Sequence, residues 1–363
     1  MSNCKSNRRM FCRKLASLSL AGILPAPVIS ACLSESSSTS NRKSAKMSAT
    51  TNNQKSSFEP GYLRLHRTGE LKERAEVMWD MMSTCRLCPR KCETDRLRGQ
   101  QGEFCKATSQ LQVSSFNPHF GEEQPLVGRN GSGTIFFTNC AMLCVFCINW
   151  EISQGGAGTD VNIRQLSEMM LQLQRIGCHN INVVTPTHYA PHILLALDRA
   201  ASSGLNLPVA YNTSGWENLD ILQLLDGVID IYLADFKYFD SENADKYSPG
   251  ADSYPEVTKK AIVEMNRQVG VADPLANNGI LQKGLIIRHL VMPNDVGGTE
   301  DLLMWISKNL PRDTYINLMS QYRPMFKAHE YPEISRRLRV REYRNAVNAA
   351  RNAGLTNLDI QGV

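Results

Sequence analysis

Several things are scarce in this 363-residue chain, and each shortage removes a class of function. A helix that crosses a bilayer takes about 20 consecutive apolar residues. The apolar stretch from Leu15 to Ile29 is shorter than that and broken by Pro25 and Pro27, so it is not a stable span. The glycine-rich loop Gly155-Gly156-Ala157-Gly158 is not followed by Lys-Ser/Thr, and without them it makes no phosphate-cradling nucleotide site. Acids are nearly missing from residues 1–57, where Glu35 faces nine lysines and arginines. The net charge of +5 therefore misleads: the rest of the chain holds 31 basic against 34 acidic residues, a balance of −3. No nucleic-acid partner is expected from such a surface.

The shortage that says most is a missing fourth cysteine. Cys140, Cys144 and Cys147 stand at C-x3-C-x2-C spacing, directly after the β-favouring run Ile135-Phe136-Phe137. A strand that feeds a short loop with three thiols makes a holder for a soft metal centre, because thiolates select iron–sulfur clusters, zinc or Cu(I). A four-iron cluster normally takes four cysteines. Three would leave one iron open to a small molecule.

This pattern, with Phe146 just before the last cysteine, resembles the radical S-adenosylmethionine (SAM) superfamily. The resemblance implies a 4Fe-4S cluster on Cys140, Cys144 and Cys147, with SAM on the open iron. It further implies a low-potential electron donor of the flavodoxin or ferredoxin type. Within the superfamily the chain looks like the uncharacterised iron–sulfur relatives of the pyruvate formate-lyase activating enzymes.

Ahead of the triad, Cys85, Cys88, Cys92 and Cys105 follow a C-x2-C-x3-C-x12-C pattern. Four thiols can close a tetrahedral zinc site or a second cluster, and glycines 99 and 102 allow the chain to turn back with the fourth. Disulfides are the other reading, favoured only where this part folds in an oxidising compartment. Cys178 reads as a buried small hydrophobe.

The N-terminus reads as a targeting segment. Arg8-Arg9, an apolar stretch and Ser30-Ala31-Cys32 look like a twin-arginine export signal joined to a lipoprotein site, with Cys32 lipidated and tethered to a membrane. Residues 33–57, rich in Ser, Thr, Asn and Lys, read as a flexible tether. Export sits uneasily with SAM and its reductant, which are cytoplasmic supplies. The expected organisation is signal 1–32, tether 33–57, Cys-rich segment 58–130 and barrel domain 131–363.

Beyond the triad, strand-like and helix-like segments alternate, which argues a parallel α/β sheet. Asp160 is expected to cap a helix ending at Ile176, Leu219–Leu225 to be a helix and Tyr315–Met319 a strand, with a last strand within Leu355–Ile360. About six βα units predict a partial (β/α)6 TIM-like barrel of the radical SAM type. Ligands in such folds sit at the C-terminal strand ends.

Those ends carry Thr185, Thr187 and His188; Asn212 and Thr213; Asp235 and Lys237; Arg288 and His289; and Gln321-Tyr322-Arg323. The resemblance assigns Phe146, Thr185, Thr187, Asn212, Thr213, Asp235, Lys237, Arg288 and His289 to SAM binding, although Thr185-Pro186-Thr187 stands where activating enzymes carry Gly-Gly-Glu. An ordinary ion pair is the plain reading of Asp235 and Lys237. Segments 240–256 and 324–340 are candidates to seal the mouth. The expected activity is reductive cleavage of SAM to a 5′-deoxyadenosyl radical for hydrogen abstraction, with a polypeptide as the substrate that the resemblance suggests. A membrane-tethered electron carrier or zinc-stabilised binding protein is the rival.

Overall fold

The computed structural model describes residues 58–362. The signal, the tether and Cys32 lie outside them.

Nine strands form one sheet: β1 (Leu111–His119), β2 (Ser132–Phe137), β3 (Thr159–Val161), β4 (Ile181–Val184), β5 (Val209–Thr213), β6 (Ile231–Asp235), β7 (Gly284–Leu290), β8 (Tyr315–Met319) and β9 (Leu358–Ile360). They lie in the order β3-β1-β2-β4-β5-β6-β7-β8-β9. From β2 to β9 every neighbouring pair is parallel, while β1 runs antiparallel to both β2 and β3. This is the partial barrel that the alternation predicts, with β1 and β3 added at its leading edge. Parallel strands put their C-terminal ends at one mouth. The turn between β1 and β2 therefore closes the opposite end.

Side chains alternate between the two faces of each strand. Ala210, Ile231, Leu233, Ile286 and Tyr315 face the lumen and pack there with Leu126, from the β1–β2 connection. Tyr211, Tyr232, Ala234, Ile287 and Leu318 face the outer helices and join the main core. Burying a large apolar side chain contributes about 1.5–3 kcal/mol, so each face of the sheet stabilises the curved strands independently.

Local chemistry sets the helix ends. Helix Ile163–Ile176 begins at Asn162, whose side chain accepts from Gln165 N while the Gln165 side chain accepts from Asn162 N; Gly177 ends it at φ 96°. That reciprocal box corrects the expected start at Asp160, which instead lies in β3 opposite Gln112. Thr159 and Val161, both β-favouring, extend the chain past it.

The Cys-rich segment shares the barrel's core. Tyr62, Leu65, Leu71 and Met78 are buried in the same cluster as Tyr211 and Tyr232. Gly61 donates its N–H to Asp230 at 2.9 Å, and a Cβ there would lie 2.4 Å from the Gly227 carbonyl oxygen. Only glycine allows that approach.

Candidate active site

The loop after β2 turns through two left-handed residues, Asn139 (φ 71°) and Leu143 (φ 58°). Neither is glycine, and such conformations cluster where surrounding structure enforces them. Cys144 is buried, while Cys140 and Cys147 are partly exposed. Met142 N donates to Cys140 Sγ at 3.4 Å and Ser248 Oγ to Cys144 Sγ at 3.2 Å, and Cys147 Sγ lies 3.2 Å from Ser153 Oγ. Burial, with the neighbouring Cys144 adding to it, pushes the Cys140 thiol up to about 12. Cys144 is raised too by burial, against the pull of the nearby Lys237 ammonium.

Both proposed sealing segments lie against this loop. Val145 N donates to Tyr247 O at 2.9 Å and Lys327 N to Val145 O at 2.9 Å. Phe326 stacks on Trp150 at 5.3 Å, and Phe146 packs edge-on against Tyr238 and Tyr322.

Beside the thiols stands a buried charge network built from strand ends. Lys237 Nζ reaches Asp235 Oδ2 at 2.5 Å and Arg288 Nε reaches Asp235 Oδ1 at 2.9 Å. Arg288 also donates to Asn212 Oδ1 at 2.5 Å and to Glu122 Oε2 at 3.2 Å. Burial opposes ionisation of Asp235, but Arg288 and Lys237 outweigh it and hold the carboxyl below its usual range. For Lys237 burial is likewise outweighed, by Asp235 and Cys144, so the ammonium is favoured. Losing one partner of such a group leaves a bare buried charge, at a cost of about 3–5 kcal/mol. The plain reading of Asp235 and Lys237 as an ion pair is thus correct as geometry, and the pair also faces the thiol loop.

Of the nine residues assigned to SAM, Asn212, Asp235, Lys237 and Arg288 meet in that network. Thr185 ends β4 at φ 58°, an outlier for a β-branched residue at the strand end where the chain turns. Three others point elsewhere and are corrected. Thr187 donates to Glu217 Oε1 at 2.6 Å, and Thr213 bonds the same oxygen; both threonines are on the helix side. His289 is spent on Phe236 O at 2.7 Å and Thr299 Oγ1 at 2.9 Å. Strand alternation explains the threonine: Asn212 faces in, so Thr213 faces out. Phe146 packs with aromatic neighbours as described. His188, bonded at 2.8 Å to Thr138 O, is held neutral: burial lowers its pKa to about 3.

Sequence reasoning missed Glu122, Glu123 and Glu217. Glu122 and Glu123 rise from the closed end, where they meet Asn182 and Asn212 (Glu122) and Asn317 (Glu123). Glu217 is fully buried, and burial raises its pKa to about 7. Their partners lie far away in the chain, so no local spacing reveals them.

Cys85, Cys88 and Cys105 are buried, Cys92 is partly exposed, and all four are free thiols; no disulfide joins them. Lys91 (φ 43°), Glu93 (φ 58°) and Lys106 (φ 60°) turn the surrounding loops through left-handed conformations. A Cβ on Gly102 would lie 2.6 Å from Cys105 Sγ, so glycine is needed to bring the fourth thiol in. Cys178 is buried at 3% exposure, as a small core residue.

A parallel barrel whose mouth carries three thiols beside paired cations defines a protein that holds a soft, negatively charged metal centre. Residues 134–288 match the family described as Radical SAM superfamily. An uncharacterized protein of Methanocaldococcus jannaschii is 32% identical over 292 residues, which cover 78% of each chain. The chain belongs to the radical SAM superfamily, an enzyme class built on a 4Fe-4S cluster and SAM.

The residues fit that cofactor. Among the described residues no three His, Cys, Asp or Glu side chains converge on a single-ion site. A cuboidal cluster takes its thiolates at separate irons, so three soft donors spread along one loop suit it better than one zinc ion.

Proposed function

We propose that Cys140, Cys144 and Cys147 ligate the catalytic 4Fe-4S cluster and that SAM lies between it and the polar ends of β4 to β7. The cluster and SAM, when bound, supply a 5′-deoxyadenosyl radical for hydrogen abstraction. The observation that carries this reading is the thiol loop's position: it follows β2 at the same mouth as Thr185, Asp235, Lys237 and Arg288. Lys237, positive and beside Cys144, is suited to a carboxylate, and Arg288 with Asn212 fixes Asp235 opposite it. Segments 240–256 and 324–340 press on the cluster loop and would exclude water from a radical.

The substrate class we propose is a polypeptide, as in glycyl-radical activation, with electrons from a flavodoxin- or ferredoxin-type protein. Cys85, Cys88, Cys92 and Cys105 would hold a second metal centre, a cluster or zinc. Export and lipidation at Cys32 are proposed from the leader's order alone; mass spectrometry of the membrane fraction tests them, and an unmodified Cys32 there refutes them.

Anaerobic reconstitution followed by iron and sulfide counting tests the activity. Dithionite and SAM should then yield 5′-deoxyadenosine, and alanine at Cys140, Cys144 or Cys147 should abolish it. Deoxyadenosine formed at the unaltered rate by those variants would refute the ligand assignment.

A further inference from the structure

The four-cysteine segment is fastened to the catalytic loop by two arginines, and neither has a carboxylate partner among the described residues. Arg96 is 0% exposed. Its guanidinium donates to Thr108 O at 2.7 Å, to His188 O at 2.9 Å and towards Cys85 Sγ at 3.8 Å. Arginine stays charged in a protein, and a buried charge needs a counter-charge. The thiols beside it are the groups able to supply one, and they do so as metal-bound thiolates.

Arg90 lies between Cys88 and Cys92 in sequence and reaches the other way. It donates through Nε to Ala141 O at 3.0 Å, next to Cys140. Its other nitrogens donate to Pro249 O at 2.7 Å and Gly250 O at 2.5 Å. That short segment starts at Ser248, the donor to Cys144 Sγ. Phe104, the neighbour of Cys105, and Trp216 hold the guanidinium at 4.2 Å and 4.9 Å from their ring centroids.

Resting on the function proposed above, we infer that Cys85, Cys88, Cys92 and Cys105 hold a redox-active iron–sulfur cluster that relays electrons to the catalytic cluster along Cys88-Pro89-Arg90, the hydrogen bond to Ala141 and Cys140. The step is a one-electron transfer. A flavodoxin- or ferredoxin-type donor is oxidised by one electron, the four-cysteine centre is reduced and reoxidised, and the catalytic centre is reduced by one. No bond forms or breaks. Buried Arg96 stabilises the electron while it rests on the relay. The same convergence test that disfavours mononuclear zinc at the triad applies to these four thiols.

The test uses full-length protein reconstituted anaerobically, read by iron count and electron paramagnetic resonance. Wild type should show two reduced-cluster signals, of which one changes when SAM is added. Cys105→Ala should lose the signal that SAM leaves alone. It should keep the SAM-responsive one under photoreduction, yet accept electrons from reduced flavodoxin about ten-fold more slowly or worse. Arg90→Gln, which spares all seven thiols, should keep both signals and show the same slow transfer; it serves if Cys105→Ala does not fold. Zinc in the four-cysteine site overturns the relay, as does flavodoxin-driven reduction at the wild-type rate in Arg90→Gln. A wild-type spectrum indifferent to SAM overturns the radical reading itself and the relay with it.

Discussion

The triad and the four-cysteine segment share one core but keep different company. Around Cys140, Cys144 and Cys147 the partners are hydroxyls, an amide and, at the strand ends, a lysine already paired with Asp235. Around Cys85, Cys88, Cys92 and Cys105 they are two arginines whose other contacts are neutral carbonyls and aromatic rings. The first set leaves a coordination position and balances its charge with pairs that a ligand can join. The second has four thiols, no open position and a permanently fixed counter-charge. One arrangement suits chemistry on a bound molecule, the other suits holding and passing charge.

The sharpest way to break this comparison is to remove a ligand from the open set. Cys144→Ala should abolish 5′-deoxyadenosine formation, while the second centre's spectrum persists; chromatographic assay and spectroscopy on one sample check both. Next comes the fixed charge. Arg96→Met should destabilise the reconstituted protein by about 3–5 kcal/mol in denaturant titrations and release the metal at Cys85 before that at the triad. A smaller effect is expected at Ser248. Hydrogen bonds to cluster sulfurs tune the reduction potential, so Ser248→Ala should make the SAM-responsive cluster harder to reduce in a redox titration while leaving the other unchanged.

The smallest effect lies outside both sets, at Glu217. Its folded pKa of about 7 stands above the ordinary 4.5 because of burial, so the native state holds a proton that the unfolded chain has already lost. Stability from this group is complete below about 4.5 and falls as pH rises to about 7. Glu217→Gln should flatten thermal stability across that window in part. Asp230, also raised to about 7 by burial, leaves the remainder with the same sign.

How much of this was legible in the chain depended on the range of the interaction. Helix Leu219–Leu225 and strand Tyr315–Met319 match their expected limits, because apolar periodicity and flanking residues are local. The thiol spacing is local too. By contrast β1, with Gln112, Ser114, Ser115 and Asn117 within it, lacks an apolar rhythm and is a strand through its pairing with β2. Inward-facing Asn212 and outward-facing Thr213 are adjacent in sequence, and only the register decides which of them meets Arg288 and which meets Glu217. Arg90 and Arg96 read as ordinary charges until the fold brings distant carbonyls to them.

One feature at the closed end bears on what the enzyme can act upon. Leu126, Glu122 and Glu123 rise from the β1–β2 turn into the lumen and occupy it together with Ile231, Leu233, Ile286 and Tyr315. A stoppered tube cannot swallow its reactant. Whatever yields a hydrogen atom must therefore present it at the lip, as a protruding segment of a larger body can, and a bulky reactant is no obstacle to such a site.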